Sequence, residues 1–194
     1  MALTREDLYS LEKYEEIRNE FRAKVMAHKK HRQVSIGEYA RLYFEDQLIM
    51  HYQIQEMLRA EKIFDAAGIN EELEAYNPLI PDGTNLKATF MLQYSDPVER
   101  QMALAKLIGI ERKTWLQFAG FDKVYPITNE DLIERETAEK TSAIHFMRFE
   151  FSAEMIAAAK EGAALNMGIE HEHYNHVVMA VAEDIRHSLV GDFS

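Results

Sequence analysis

Apolar residues recur along the chain at two spacings, one helical and one strand-like, and the changes between them mark out the elements. Thr4 to about Ala27 is predicted as a helix. Thr4 and Asp7 stand in capping-box positions, and Leu8, Leu11, Ile17, Phe21 and Val25 form a broken apolar stripe. Gln33 to Asp46 is predicted as a hairpin turning near Gly37, with Leu42 and Phe44 on one face. Leu48 to Phe64 is full of good helix formers, and Gly68 supplies a stop. Asn70 is placed to cap a short helix through Glu71, Glu72 and Leu73, which Pro78 and Pro81 end. Pro81-Asp82-Gly83 has turn chemistry.

Leu86 to Tyr94 carries the clearest strand signal, because Leu86, Ala88, Phe90, Leu92 and Tyr94 alternate with Lys87, Thr89, Met91 and Gln93. Asp96-Pro97-Val98-Glu99 then opens a helix that runs to Gly109. Lys113 to Ala119 and Lys123 to Ile127 form a predicted hairpin around Gly120. Ser142 to Phe151 is a strand apolar on both faces, hence central and covered on both sides. Ser152 caps a helix from Ala153 to Lys160, stopped by Gly162. Leu165, Met167 and Ile169 give another strand, and Val177 to Val190 a final amphipathic helix. Several links are too short for parallel crossovers. The prediction is therefore an α+β fold, a mostly antiparallel sheet with helices packed on it, in one domain spanning 1–194. No Pro/Gly/Ser-rich linker or internal repeat divides it.

Composition narrows the compartment and the chemistry. The chain has 194 residues, 47% hydrophobic and 28% charged, and a chain of that length buries roughly 70% of its unfolded surface. Its core needs no staple, so a bound metal would serve function rather than stability. The absence of cysteine excludes disulfides, thiolate nucleophiles and zinc–thiolate sites, and fits a reducing compartment. Glu6 and Asp7 come early with no apolar signal-peptide stretch after them, and no apolar run approaches membrane-spanning length, so a cytoplasmic protein without membrane contact is expected. A formal net charge of −11 disfavours nucleic acid. The one basic run, His28-Lys29-Lys30-His31-Arg32, falls where the first helix ends and suits a dipole cap or a solvated face.

Four segments carry candidate chemistry. In Gly168-Ile169-Glu170-His171-Glu172-His173-Tyr174-Asn175-His176, the residues His171, His173, His176 and Glu170 are candidate ligands for a divalent metal or iron. The alternative is a polar loop entering a helix. His145 lies in the predicted central strand, where a buried imidazole can act as acid, base or ligand, or simply be a satisfied core residue. Arg148 and Glu150 share the opposite face of that strand and can pair. Tyr52, Gln55, Glu56 and Arg59 line one helical stripe. That stripe can hold an anionic or carbonyl ligand, form a network between subunits, or be a solvated face. The polar loop from Tyr76 to Lys87 is placed to shape a pocket rim. No nucleotide-binding glycine loop, HExxH or nucleophile elbow is present.

These segments resemble the bacterial domain-of-unknown-function family 3501. The resemblance is carried by Phe44-Glu45-Asp46-Gln47, by Tyr52 to Arg59, by Tyr76 to Thr89, by Lys140 to Glu150 and by Gly168-Ile169-Glu170-His171. It spans nearly the whole chain. It supplies no catalytic residues. It implies a neighbourhood of rubrerythrin-type and iron–sulfur oxidoreductases, and so a link to peroxide or redox metabolism. His145 and His171 fall in matching stretches, whereas His173 and His176 do not match as well, which favours a site assembled from distant segments. Three readings follow: a metal- or ligand-binding protein linked to redox metabolism, a homo-oligomeric or adaptor module partnering an oxidoreductase, and a metal-free enzyme using His145.

Overall fold

The computed structural model describes residues 2–128, 130 and 135–194. Thr4 and Asp7 do form the predicted local box, with the Thr4 N–H and hydroxyl both donating to Asp7 Oδ2 at 2.8 Å. It closes only a single 3-10 turn, Arg5–Asp7. The chain then extends through Leu8, and helix α1, Leu11–Lys29, starts at a second cap, Ser10, which accepts from the Lys13 N–H. Strands β1, Gln33–Ile36, and β2, Ala40–Phe44, make the expected hairpin, with Gly37 at φ +72° in the turn.

Helix α2, Gln47–Glu61, is capped by Asp46, whose Oδ1 accepts from the Ile49 N–H at 2.9 Å. It ends on Lys62 in the left-handed conformation rather than at Gly68. Gly68 instead lies in the first turn of α3, Ala66–Tyr76. Asp65 caps that helix through the N–H groups of Ala67 and Gly68, so Asn70 is interior to it. Strand β3, Asn85–Leu92, follows. Helix α4, Pro97–Lys106, opens on Asp96 as its sequence predicts.

Strand β4 is Thr114–Phe118. The predicted hairpin around Gly120 shrinks to one antiparallel bridge between Leu116 and Val124, because the chain leaves to pair β5, Ile127–Thr128, with β6, Ile144–Glu150. Helix α5, Ala153–Lys160, is capped by Ser152. Strand β7, Leu165–His171, turns directly into β8, Tyr174–Val178, and helix α6 spans only Glu183–Val190. The helix predicted from Val177 thus starts six residues later, and its first two residues, Val177 and Val178, are strand. Asn175, His176, Val177 and Val178 pair in register with Glu170, Ile169, Gly168 and Met167, and those ladder bonds outweigh the helical spacing.

The strands form two antiparallel sheets, one ordered β1-β2-β3-β6-β5 and one ordered β4-β7-β8. With the helices this is an α+β domain. Alternation sets the layers. Leu42, Phe44, Leu86, Phe90, Met147 and Phe149 point inward from the larger sheet and meet Leu116, Phe118, Leu165, Met167 and Ile169 of the smaller one in a single core. Each such side chain contributes roughly 1.5–3 kcal/mol by leaving water. Strand β6 lies inside the sheet as predicted, but its two faces differ: His145, Met147 and Phe149 are buried, and Phe146, Arg148 and Glu150 are only half-covered.

Helices α1, α2 and α3 pack in sequence on one another around separate apolar clusters. One gathers Ile49, Ile54, Leu58, Leu73 and Ile80, the other Tyr14, Phe21, Val25 and Tyr52. The end of α3 and the turn after it stand over the outer face of the larger sheet. There the Lys87 ammonium donates to the Pro78 carbonyl at 2.8 Å. Among the described residues no helix is long and apolar enough to cross a membrane.

Candidate functional site

Between α3 and the outer face of β3 and β6 lies a cavity of about 640 Å³. The polar loop from Tyr76 to Lys87 does form its rim, through Tyr76, Pro78, Leu79, Asp82 and Lys87. The sheet supplies its floor, because Lys87 and Arg148 are direct cross-strand partners, and Thr89 and Phe146 are the next such pair. Two-residue alternation therefore places Lys87, Arg148 and Phe146 on the side away from the core. The cavity lining mixes apolar and aromatic residues with five charged ones, Glu74, Asp82, Lys87, Glu130 and Arg148.

Arg148, Glu130 and Asp82 are held by hydrogen bonds. Arg148 donates from Nε and Nη2 to both oxygens of Glu130 at 2.8 and 2.7 Å, and from Nη1 to Glu150. The bond from Arg148 holds Glu130 below the usual carboxylate range. Burial pushes Asp82 upward, but hydrogen bonds from Asn85 and Thr84 and the nearby Lys87 leave it below its ordinary value. Lys87 is different. Burial depresses its ammonium below the ordinary lysine value and the charge of Arg148 adds to this, against the opposing pull of Asp82, Glu130 and Glu150.

Of the ligand-binding residues expected from sequence, only Arg148 reaches this cavity. The α2 stripe is an internal staple between helices. The Gln55 side chain is fully buried and brackets the backbone of Tyr9, accepting from its N–H at 2.7 Å and donating to its carbonyl at 3.3 Å. Glu56 accepts from the Tyr14 hydroxyl at 2.7 Å and from Arg18 at 2.7 and 2.8 Å, and these bonds hold it at about 2. Arg59 pairs with Glu15 of α1, and Tyr52 packs against Phe21. The network between subunits envisaged for this stripe is satisfied within one chain.

His145 faces the core, on the side of β6 opposite Arg148. Its Nε2 lies 3.0 Å from both the Ser142 carbonyl and the Thr141 hydroxyl. Burial lowers its pKa, with the charge of buried Glu111 opposing. The histidine-rich segment is a hairpin tip rather than a helix entry. His171 donates from Nε2 to the Ile108 carbonyl at 3.0 Å and accepts at Nδ1 from the His173 N–H at 3.2 Å, so neither ring nitrogen offers a lone pair to a metal. His173 is in the turn, with its ring 5.9 Å from that of His171. The His176 ring rests 4.6 Å from that of Tyr174. Glu170 points to the opposite face, where Lys123 and Tyr125 hold it. Among the described residues no group of three His, Asp or Glu side chains is placed to hold a metal ion.

The basic run hides a feature that its sequence does not show. Arg32 is 2% exposed and is the hub of a buried ionic cluster. It donates to the carbonyls of Phe44, Glu45 and Ser188 and to Asp192 Oδ2 at 2.5 Å, and lies 3.2 Å from Asp46 Oδ2. His28 Nε2 meets the same Asp46 oxygen at 2.5 Å. Burial pushes the Asp192 carboxyl up to about 6 although Arg32 pulls it down. His28, Asp46 and Asp192 border a smaller cavity of about 330 Å³. The signal that could have found this hub is Asp46: a helix cap with one oxygen to spare attracts a cation.

The comparisons with known proteins agree with one another. The family described as "Protein of unknown function (DUF3501)" matches residues 2–193. A solved structure of a protein of unknown function from Burkholderia pseudomallei is 50% identical, is covered over 100% of both chains and superposes with a TM-score of 0.92. No curated protein matches the chain.

Proposed function

The chain belongs to the DUF3501 family, and from that premise we propose that it is a small-molecule-binding protein whose site is the cleft between α3 and the outer face of β3 and β6. One observation carries this reading. The cleft has the volume of a ligand pocket, about 640 Å³, and a lining in which apolar and aromatic residues stand beside a few polar and charged ones. Of the two binding chemistries the sequence raised, an organic ligand has a cavity to enter, whereas His171, the first histidine offered for a metal, has both ring nitrogens in backbone hydrogen bonds. The ligand that fits is compact and mostly apolar or aromatic, with its polar end towards Lys87.

Amide NMR during titration with a library of small aromatic fragments tests this. Binding is expected to move resonances of Tyr76, Lys87, Phe146 and Arg148 while those of β7 and β8 stay still. A Leu79→Trp variant, which fills the cavity from its rim, is expected to keep its melting temperature and lose the shifts. Shifts confined to any other surface, or persisting unchanged in that variant, overturn the reading.

A further inference from the structure

We propose that Lys87 is a nucleophilic amine that captures aldehydes or ketones in this cleft as imines; the inference rests on the ligand-binding reading of the same cleft. Three features of the site point there. First, Lys87 is the lysine in the wall of the cavity. It stands on a strand whose register is locked on both sides, by β2 and by β6, so its stem is fixed at the base. A nucleophile on a rigid strand is held where a reacting carbon can approach it.

Second, its direct cross-strand partner is a cation, Arg148. Desolvation and a neighbouring positive charge both favour the neutral amine over the ammonium. The shift of Lys87 below its ordinary value agrees with that geometry. Arg148 itself stays tied to Glu130 and Glu150, so it is not drawn off to neutralise a ligand. Third, the groups facing Lys87 from the other elements are the Pro78 carbonyl, which accepts from its Nζ at 2.8 Å, and the carboxylates of Asp82 in the loop, Glu130, and Glu150 of β6. They oppose loss of the ammonium proton only in part. They favour any cationic product formed at the same nitrogen.

The reaction balances without an oxidant or a reductant. The Nζ lone pair forms a bond to the carbonyl carbon, and the carbonyl π electrons move to oxygen, which takes up a proton. The amine gives up a proton in turn, and the carbinolamine hydroxyl then takes up a further proton and leaves as water, giving the cationic C=N of an iminium. The open cleft lets solvent carry these protons. The iminium left on Lys87 lies among Asp82, Glu130 and Glu150, which stabilise it by charge. The apolar rim of Tyr76, Pro78, Leu79 and Phe146 suits a carbonyl compound with a hydrophobic or aromatic body.

The test uses the whole unmutated chain at pH 7 with benzaldehyde and sodium cyanoborohydride, which reduces an imine to a stable secondary amine, followed by peptide mapping. Lys87 is expected to carry the label several-fold above every other lysine, and Lys87→Met to lose that dominant site. An even spread of label over the lysines, or a spared Lys87, overturns the proposal. A parallel NMR titration with benzyl alcohol, which has no carbonyl, separates the two readings. Cleft shifts with benzyl alcohol beside an unlabelled Lys87 sink the amine chemistry and leave ligand binding intact. A labelled Lys87 with no benzyl alcohol shifts sinks the binding reading and keeps the reactive amine.

Discussion

At the scale of single residues, polar side chains were legible by type but not by partner. Sequence spacing put Gln55, Glu56 and Arg59 on one helical stripe. It could not show that α1 returns alongside to satisfy each of them, because the segments that meet are about forty residues apart. Glu56 makes the point quantitative. Hydrogen bonds from Arg18, with help from Tyr14, hold it at about 2, against an ordinary value of 4.5. A carboxyl depressed in the folded state stabilises the fold above pH 4.5, and that stability is lost as pH falls from there through 2. The shift corresponds to roughly 2 to 3 kcal/mol at neutral pH. Glu56→Gln should therefore lower the urea midpoint at pH 7, and the gap from the parent should close as the pH is taken towards 2. A gap that stays constant across that range would show that Glu56 does not keep this bond. Asp192 runs the other way. With its carboxyl raised to about 6, it favours the fold below pH 3.8, and that contribution is lost as pH rises through 6. Asp192→Asn should flatten the decline in stability between pH 4 and 7, measured by denaturant midpoints at fixed ionic strength.

At the scale of elements, capping chemistry carried most of what could be read. Asp96 and Ser152 open α4 and α5 where their side chains predicted, and the β3 alternation gave both its faces correctly. The errors came where two local signals competed. Ser10 won over Thr4, and Asp65 won over Asn70, because a cap is decided by which residue the extended chain delivers to the helix start. The last strand was lost to a helical pattern because its register depends on β7, which a local window does not weigh. That register has a strict requirement. Gly168 sits opposite Trp115, and a Cβ there would come within 2.6 Å of the indole and 2.8 Å of the His176 carbonyl. Gly168→Ala should cost about 1–3 kcal/mol, since one of the crowded atoms is backbone and cannot turn aside. The urea midpoint should fall with an unchanged m-value, and the emission of Trp115 should shift with it.

At the scale of the molecule, the α+β architecture was within reach of the sequence, but the cleft was not. Its walls come from α3, the loop after it, β3 and β6, and of these only Arg148 and the rim loop carry a chemical signal in the sequence. The two sheets share one core with α4, α5 and α6 whereas α1, α2 and α3 keep clusters of their own, yet Arg32 joins the end of α1 to the start of α2 and the end of α6. Unfolding followed by Trp115 emission, which reports the smaller sheet, and by far-ultraviolet ellipticity at 222 nm, which is weighted to the helices, should therefore give superimposable curves. Separated midpoints would show that the helical layer melts by itself. The same hub has a consequence for how the protein is made. A guanidinium sealed from water early in the chain waits for a carboxylate 160 positions later, and Phe193 beside it completes the aromatic packing with Phe118 and Phe151. During synthesis Arg32 can meet Asp46 and the carbonyls of Phe44 and Glu45 as soon as the first hairpin and the start of α2 are made. Its guanidinium is sealed from water only once Ser188 and Asp192 arrive, so the last turn of the chain closes a site that the first quarter has already half built.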